Sequence, residues 1–318
     1  MWKAGVSYMK RYNRSILGTC CVPWDDKLKF AETIFRRQVK YLLKNGTINL
    51  YVFGTAGEGY AVSDKQFRRI TEVFFDEMTA NQARPMVGVI NLSATTVVER
   101  IKFAYDLGVR DFQISLPSWG ACTFDEIRRF FGQTCGQFND CSFLHYNLVR
   151  SQRLITPEEY GLLADEFENV VATKSGVQSV SEVTSLLTMA PTLQHFLTEN
   201  GFALASLLGL EAGLLISISS INWKTAQHFY RICLERQYEQ IAGYLLELND
   251  IQKALFDIIG NQGHMDGVYD KLFSKMLDEE FPLRLLPPYC YAQNESYYRF
   301  SRFLEKQYPH WTPLSKTD

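Results

Sequence analysis

The sequence of 318 residues is 46% hydrophobic and 21% charged and carries a formal net charge of -2, which are ordinary values for a globular protein. The near-neutral charge gives no indication of a nucleic-acid partner, and no stretch reaches the roughly 18 apolar residues needed to cross a membrane. The first residues lack an apolar segment of signal-peptide length, so we expect a cytoplasmic protein whose seven cysteines are free thiols.

Short apolar runs alternate with amphipathic segments along most of the chain. The runs predict strands at 15–22, 48–53, 85–89, 111–116, 142–146, 170–174, 193–197 and 213–218. Helical spacing and capping signals predict helices at 30–43, after Ser63, Ser93, Thr123, Thr156 and Ser179, and at 204–208. Eight strands alternating with helices predict a (β/α)8 TIM barrel. A doubly wound open sheet is the alternative, although no GxGxxG motif follows the first strand.

The pattern changes after the eighth predicted strand, because the rest of the chain is helical with breaks near 260–263 and 281–282. The predicted α/β fold is therefore a barrel with a helical C-terminal extension. We divide the chain into an N-terminal extension (1–14), the barrel (15–225), the helical extension (226–306) and a tail (307–318).

Two reactive side chains end neighbouring strands of the predicted barrel. Tyr146 ends the fifth strand and Lys174 ends the sixth, and active sites of such barrels lie at the carboxyl ends of the strands. A buried ammonium is costly, whereas a neutral lysine is a nucleophile for a carbonyl carbon. The pattern therefore predicts imine formation by Lys174 with a 2-oxo acid, with Tyr146 moving protons. This chemistry requires no metal and no other cofactor.

The loop Gly54-Thr55-Ala56-Gly57 follows the second predicted strand and offers backbone N–H groups and a hydroxyl for a substrate carboxylate. Each of these features also has a simpler interpretation. A strand-terminal lysine often pairs with a carboxylate, a tyrosine often serves packing, and the loop glycines often supply a positive φ in an ordinary turn. The joint placement of the three features at one end of one barrel favours the catalytic interpretation.

Three motifs together resemble the dihydrodipicolinate synthase / N-acetylneuraminate lyase family of (β/α)8 class I aldolases, over about residues 15–304. The motif Gly54-Thr55-Ala56-Gly57-Glu58 is similar to the family's G-[TS]-T-G-E loop. Tyr146-Asn147 is similar to its Y-N strand end, and 169–174 is similar to the segment that carries its Schiff-base lysine. The separation of Tyr146 from Lys174 is also usual for the family.

The resemblance implies that Lys174 forms an imine with pyruvate or a related 2-oxo acid. It also implies that Tyr146 relays protons, that Thr55 joins this relay or holds the carboxylate, and that the chain forms a homo-oligomer, a dimer or a tetramer. The predicted catalytic residues are Lys174, Tyr146 and Thr55, and the predicted substrate-binding residues are Gly54, Ala56, Gly57, Trp119, Arg150 and Ile216.

The sequence departs from the family pattern beside these motifs. Ala56 replaces the second threonine of the loop, and Ser118-Trp119 stands where the synthases carry a relay tyrosine. Val149 replaces a turn proline, and Ser151 replaces an arginine, although Arg150 and Arg153 lie nearby. These departures argue against dihydrodipicolinate synthase proper, and the run 146–149 does not favour a sialic acid lyase. The alternatives are a keto-deoxy sugar acid dehydratase that uses the same imine and a catalytically inactive metabolite-binding protein.

The departing residues keep open interpretations of their own. Arg150 and Arg153 either anchor an anionic acceptor or are solvated loop charges. Trp119 either borders an apolar substrate or packs at a subunit contact. Glu58 is predicted to be structural.

Overall fold

The computed structural model describes residues 10–45, 47, 49–260 and 264–313. Parts of several predicted segments lie outside these described residues. They are residues 1–9 of the N-terminal extension, Ile48 of the second strand, 261–263 of the predicted helix break and 314–318 of the tail.

Eight parallel strands close into a barrel in chain order, so the predicted TIM barrel is confirmed. The barrel closes where β1 pairs with β8, with Ile16 opposite Leu214. The strands are β1 (Ile16–Cys20), β2 (Leu50–Val52), β3 (Met86–Gly88), β4 (Asp111–Ile114), β5 (Ser142–Asn147), β6 (Val170–Ser175), β7 (Gln194–Leu197) and β8 (Gly213–Leu215). Most strands are shorter than their apolar runs, because the run continues into the loop that follows the strand.

Helices separate the strands and then form the C-terminal extension. They are α1 (Glu32–Lys44), α2 (Asp64–Ala80), α3 (Ala94–Leu107), α4 (Phe124–Thr134), α5 (Pro157–Glu166), α6 (Val180–Met189), α7 (Glu199–Leu207), α8 (Trp223–Leu234), α9 (Tyr238–Ile259), α10 (Gly267–Leu277) and α11 (Asn294–Gln307). Capping boxes form at Ser63, Thr123, Thr156 and Ser179, as predicted. The division of the chain into domains remains a prediction, and its boundary after residue 225 falls within α8. None of the described helices is long and apolar enough to cross a membrane.

The prediction of the seventh helix at 204–208 was wrong at its start, because α7 begins at Glu199. Gly201 weakens the helical signal of the first turn, since glycine is a poor helix former. The structure uses this glycine for close packing: a Cβ atom there would lie 2.4 Å from the carbonyl oxygen of Val177. The eighth predicted strand also ends early, and Ile218–Ile221 forms a 3-10 turn.

The barrel interior contains a compact apolar cluster, which is formed by Leu17, Tyr51, Met86, Leu144, Val171, Ala172, Phe196 and Leu215. Side chains alternate along a strand, so Lys174 points the same way as Ala172, into the barrel. On the outside, a larger apolar core joins the strands to the surrounding helices.

Helix α10 packs against the β2–α2 loop. A Cβ atom at Gly267, the first residue of α10, would lie 3.4 Å from the carbonyl oxygen of Ala56. The C-terminal extension thus contributes residues to the same end of the barrel as Lys174.

Candidate active site

Lys174 lies near the carboxyl end of β6 with only 1% of its surface exposed. Tyr146 lies opposite it on β5, so the strand register brings the two side chains together as the sequence predicts. The Nζ atom of Lys174 is 3.9 Å from the centroid of the Tyr146 ring and 3.9 Å from that of the Tyr51 ring. The amine is therefore held between two aromatic rings inside the barrel.

Burial lowers the pKa of Lys174 well below its usual value, because an ammonium ion is poorly solvated there. The carboxylate of Asp266, and that of Asp270 where it is ionised, oppose this effect by favouring the protonated amine. Burial is the larger influence, so the structure favours a neutral amine. Such an amine has the lone pair that attack on a carbonyl carbon requires.

The Tyr146 phenol lies beside this amine and is partly buried. Burial raises the pKa of Tyr146 to about 12, while interaction with the neighbouring Thr55 side chain opposes the increase. The phenol consequently keeps its proton at neutral pH and can donate it to a neighbouring oxygen or nitrogen atom. Thr55 is 4% exposed and Lys174 is 1% exposed, and with the partly buried Tyr146 the three predicted catalytic residues meet in one region.

The β2–α2 loop holds Gly54 close to the amine. A Cβ atom at Gly54 would lie 2.5 Å from Cε2 of Tyr51 and 3.3 Å from Nζ of Lys174. A Cβ atom at Gly57 would lie 2.7 Å from the backbone nitrogen of Phe53. The left-handed residues of this segment are Phe53 (φ 64°) and Glu58 (φ 56°), so the interpretation of its glycines as suppliers of positive φ was wrong. These glycines are needed for close approach instead.

The predicted substrate-binding side chains are more dispersed than the catalytic ones. The methyl group of Ala56 packs with Cys21 and Phe281, so only its backbone could contact a substrate. Ile216 is buried just after β8, and its backbone nitrogen donates to the Leu17 carbonyl at 3.1 Å. Trp119 lies on the surface and is 89% exposed, and its predicted role in substrate binding stays a prediction.

Both loop arginines after β5 are engaged in ion pairs. Arg150 donates to the carboxylate of Asp266 at 2.9 Å, and both side chains are about 39% exposed. Arg153 pairs with Glu159 and donates to the Cys122 carbonyl at 3.0 Å. Arg150 thus links the β5–α5 loop to the start of α10. Arg153 links the same loop to the start of α5 and to the β4–α4 loop.

Three residues of the site were missed by sequence reasoning: Tyr51, Asp266 and Asp270. Tyr51 lies in an apolar run three residues before Gly54. Its position on the inward face of β2 could have predicted that its ring belongs to the site. The two aspartates belong to the α10 region, where no local motif indicates their role. Burial and the charge of Asp266 raise the pKa of Asp270 to about 8, whereas Lys174 opposes the increase.

His145, between Leu144 and Tyr146 on β5, points outward. It forms a 2.7 Å hydrogen bond with the Tyr160 hydroxyl, and burial lowers its pKa to about 3. It therefore belongs to the packing between strand and helix, as alternation along β5 predicts. Among the described residues, no group of three or more His, Cys, Asp or Glu side chains is arranged to hold a metal ion.

Comparison with known proteins defines the family of this chain. Residues 13–307 match the Dihydrodipicolinate synthetase family. The chain belongs to this family. The 4-hydroxy-tetrahydrodipicolinate synthase of Mesorhizobium japonicum is 26% identical over 252 residues, which cover 76% of this chain and 83% of that protein. The enzyme of the same name from Methanocaldococcus jannaschii is 22% identical over 219 residues, with coverages of 69% and 75%.

Solved structures of the family share the fold. CdNal from Clostridium difficile, in complex with mannosamine, superimposes with a TM-score of 0.81 at 19% identity, covering 93% of this chain and 99% of that chain. YagE, a prophage protein of E. coli K12 in complex with pyruvate, gives a TM-score of 0.80 at 16% identity, with coverages of 92% and 97%. These identities show the fold alone. Membership of the family supports an enzyme, and specifically a lyase of the class I aldolase type.

Proposed function

We propose that this protein is a class I lyase that forms a Schiff base between Lys174 and pyruvate or another 2-oxo acid, and that it uses the imine to make or break a carbon–carbon bond. The observation that carries the proposal is the buried Lys174 amine, held 3.9 Å from the ring centroids of Tyr51 and Tyr146. A lysine that served only an ion pair would have a carboxylate within salt-bridge distance, and among the described residues Lys174 has none.

The chemistry follows from the neutral amine. Lys174 Nζ attacks the ketone carbon, the new C–N bond forms, and the carbonyl π electrons move to oxygen, which takes up a proton. Loss of water then gives a protonated imine. This cation accepts the electron pair that remains on the next carbon when a carbon–carbon bond breaks. Tyr146, with Thr55 as its partner, can carry protons to and from these atoms.

The β2–α2 loop is the proposed carboxylate site. Gly54 lies beside Lys174, and the following residues up to Gly57 are buried, so backbone N–H groups can approach a small substrate closely. The Thr55 hydroxyl is available in the same region. No metal or cofactor has a role in these steps.

A trapping experiment tests the proposal. The protein is incubated with pyruvate and borohydride, and its intact mass is measured. We expect a stable adduct that is absent from Lys174→Ala and retained in Lys40→Ala, whose side chain is 62% exposed. Absence of an adduct with every small 2-oxo acid tested would contradict the proposal and favour a metabolite-binding protein. If the adduct forms, product analysis with a panel of keto acids and sugar acids distinguishes a lyase from a dehydratase.

We also propose that the chain acts as a cytoplasmic homo-oligomer, a dimer or a tetramer. Large apolar side chains are exposed on three successive loops after the strands β3, β4 and β5: Leu92 (56%), Trp119 (89%) and Val149 (74%). Exposed apolar side chains that share one end of a protein are typical of an interaction surface. Light scattering should show an oligomer that Trp119→Asp weakens, whereas Leu246→Asp, at a 70% exposed position of α9, should leave it intact.

A further inference from the structure

The ring of Tyr51 touches the nitrogen atom that reacts in the proposed chemistry. Nζ of Lys174 lies over this ring at 3.9 Å from its centroid, a distance that only the face of a ring allows. Nζ is equally close to the centroid of the Tyr146 ring, so the amine lies against two π surfaces. The Tyr51 side chain is 5% exposed and belongs to the apolar cluster of the barrel interior, so little water reaches this contact.

Gly54 allows the Tyr51 ring to approach the amine. A Cβ atom at Gly54 would lie 2.5 Å from Cε2 of Tyr51 and 3.3 Å from Nζ of Lys174. The ring edge, the amine and the backbone of the β2–α2 loop are therefore in mutual contact. A side chain at position 54 would separate the ring from the amine, so this contact depends on a glycine.

The charge on the Lys174 nitrogen changes during the proposed reaction. The neutral amine adds to the ketone carbon, and one amine proton moves to the new hydroxyl group. This hydroxyl takes up a second proton, which Tyr146 relays from the solvent, and leaves as water. Amine, ketone and proton thus give a protonated imine and water. A group that stabilises this cation more than the neutral amine accelerates the reaction.

No carboxylate is in contact with this nitrogen among the described residues, since Lys174 has no acidic partner within ion-pair distance. The carboxylate of Asp266 accepts a hydrogen bond from Arg150 at 2.9 Å. Burial raises the pKa of Asp270 to about 8, so this carboxyl keeps its proton at neutral pH. The aromatic faces are therefore the groups in contact with Nζ that can stabilise a cation.

An aromatic face suits both charge states of the nitrogen. A carboxylate in contact with Nζ would hold the resting amine protonated and remove the lone pair that attack requires. The face of an aromatic ring attracts a cation more weakly, so it can stabilise the imine and still leave the resting amine neutral.

We propose that the face of the Tyr51 ring is a catalytic group that stabilises the positive charge of the protonated Lys174 imine by a cation–π interaction. The inference rests on the proposed function. The face of the ring is negative, and its attraction for a cation is strongest where water is excluded. The Tyr146 ring adds a second face, but its phenol also moves protons. Tyr51 is therefore the residue at which the effect of a ring face can be measured alone.

Stepwise fluorination of the ring tests the proposal, because fluorine withdraws π electrons and changes the size of the ring little. Phenylalanine and its mono-, di- and trifluorinated analogues are incorporated at position 51 of the full chain. The fraction of protein trapped by a rapid borohydride quench at increasing pyruvate concentrations gives the equilibrium constant of imine formation. We expect this constant to fall with each added fluorine, by about tenfold over the series. A constant that does not change along the series would overturn the proposal.

Two comparisons separate the charge of the ring face from packing and from the hydroxyl group. The same series at Phe112, which is fully buried outside the barrel and stacks on Phe143, should leave the equilibrium constant unchanged. An equal fall there would show a general loss of packing and overturn the proposal. Tyr51→Phe removes only the hydroxyl group, and its effect should be smaller than that of full fluorination. If Tyr51→Phe accounts for the whole fall, the hydroxyl group acts instead of the ring face and the proposal is wrong.

The wild-type protein distinguishes failure of this inference from failure of the proposed function. If it forms no adduct with any small 2-oxo acid, the proposed function is overturned and the role of Tyr51 with it. If it forms the adduct and fluorination at position 51 has no effect, only the cation–π role is overturned.

Discussion

Lys271 on α10 donates a hydrogen bond to the carboxylate of Glu58 in the β2–α2 loop, and both side chains are fully buried. Glu58 also accepts from Trp24 Nε1 at 2.8 Å and from the backbone nitrogen of Leu286 at 2.6 Å. This buried ion pair joins the loop that carries Gly54 to the helix that carries Asp270. Glu58 therefore has the structural role that its sequence position predicts.

Glu58→Gln should destabilise the fold strongly, because it leaves the Lys271 ammonium buried without its counter-charge. Breaking a buried pair from one side typically costs about 3–5 kcal/mol, and the free energy of unfolding in urea measures it. The control is Glu280→Gln, which removes a carboxylate that is 71% exposed in its pair with Arg37 and should change little. Equal effects of the two variants would contradict the structural role of the buried pair.

Gly54→Ala should abolish adduct formation with pyruvate. The new methyl group would lie 2.5 Å from the Tyr51 ring and 3.3 Å from Nζ of Lys174, so the rings that hold the amine must move. Intact mass after borohydride treatment measures the loss. Gly243→Ala in α9 is the matched control, because a Cβ atom there meets nothing within 4 Å. Normal trapping by Gly54→Ala would show that the amine does not depend on this close packing.

Tyr146→Phe should lower turnover by about 10²-fold or more, while Lys174 still forms an adduct slowly. The variant keeps the aromatic ring beside the amine and removes only the phenolic proton. Steady-state kinetics with the identified substrate provide the measurement. Tyr160→Phe is the control, because Tyr160 is a fully buried tyrosine that hydrogen-bonds His145 on the outer face of β5. Equal losses in both variants would indicate general destabilisation instead of proton transfer.

Asp270→Asn should stabilise the fold at pH 8 relative to the wild-type protein. The pKa of Asp270 rises from 3.8 to about 8 on folding, so the folded state binds the proton more tightly than the unfolded state. The free energy of unfolding of the wild-type protein therefore falls as the pH rises from about 4 to about 8, because the unfolded state gives up this proton first. Thermal unfolding should show a Tm increase of about 2 °C or more at pH 8, and a much smaller one at pH 4. A Tm increase of the same size at pH 4 and at pH 8 would contradict the raised pKa of Asp270.

Local sequence patterns were sufficient for most of the fold. Alternating apolar runs and capping boxes located eight strands and most helices, because strand and helix periodicity and cap hydrogen bonds involve residues close in the chain. The same alternation predicts that Tyr146 and Lys174 end neighbouring strands and that His145 points away from them. The start of α7 was missed, since packing of Gly201 against Val177 outweighs its weak helix propensity.

The sequence by itself determined the barrel, its family resemblance and the reactive pair Tyr146 and Lys174. Only the tertiary structure decided what surrounds that pair: the Tyr51 ring, the carboxyls of Asp266 and Asp270, and the pairing of Glu58 with Lys271 across 213 residues. The physical reason is that desolvation and charge interactions depend on distances in space. No local sequence pattern indicates that α10 packs against the mouth of the barrel. The pKa of the Lys174 amine depends on that packing.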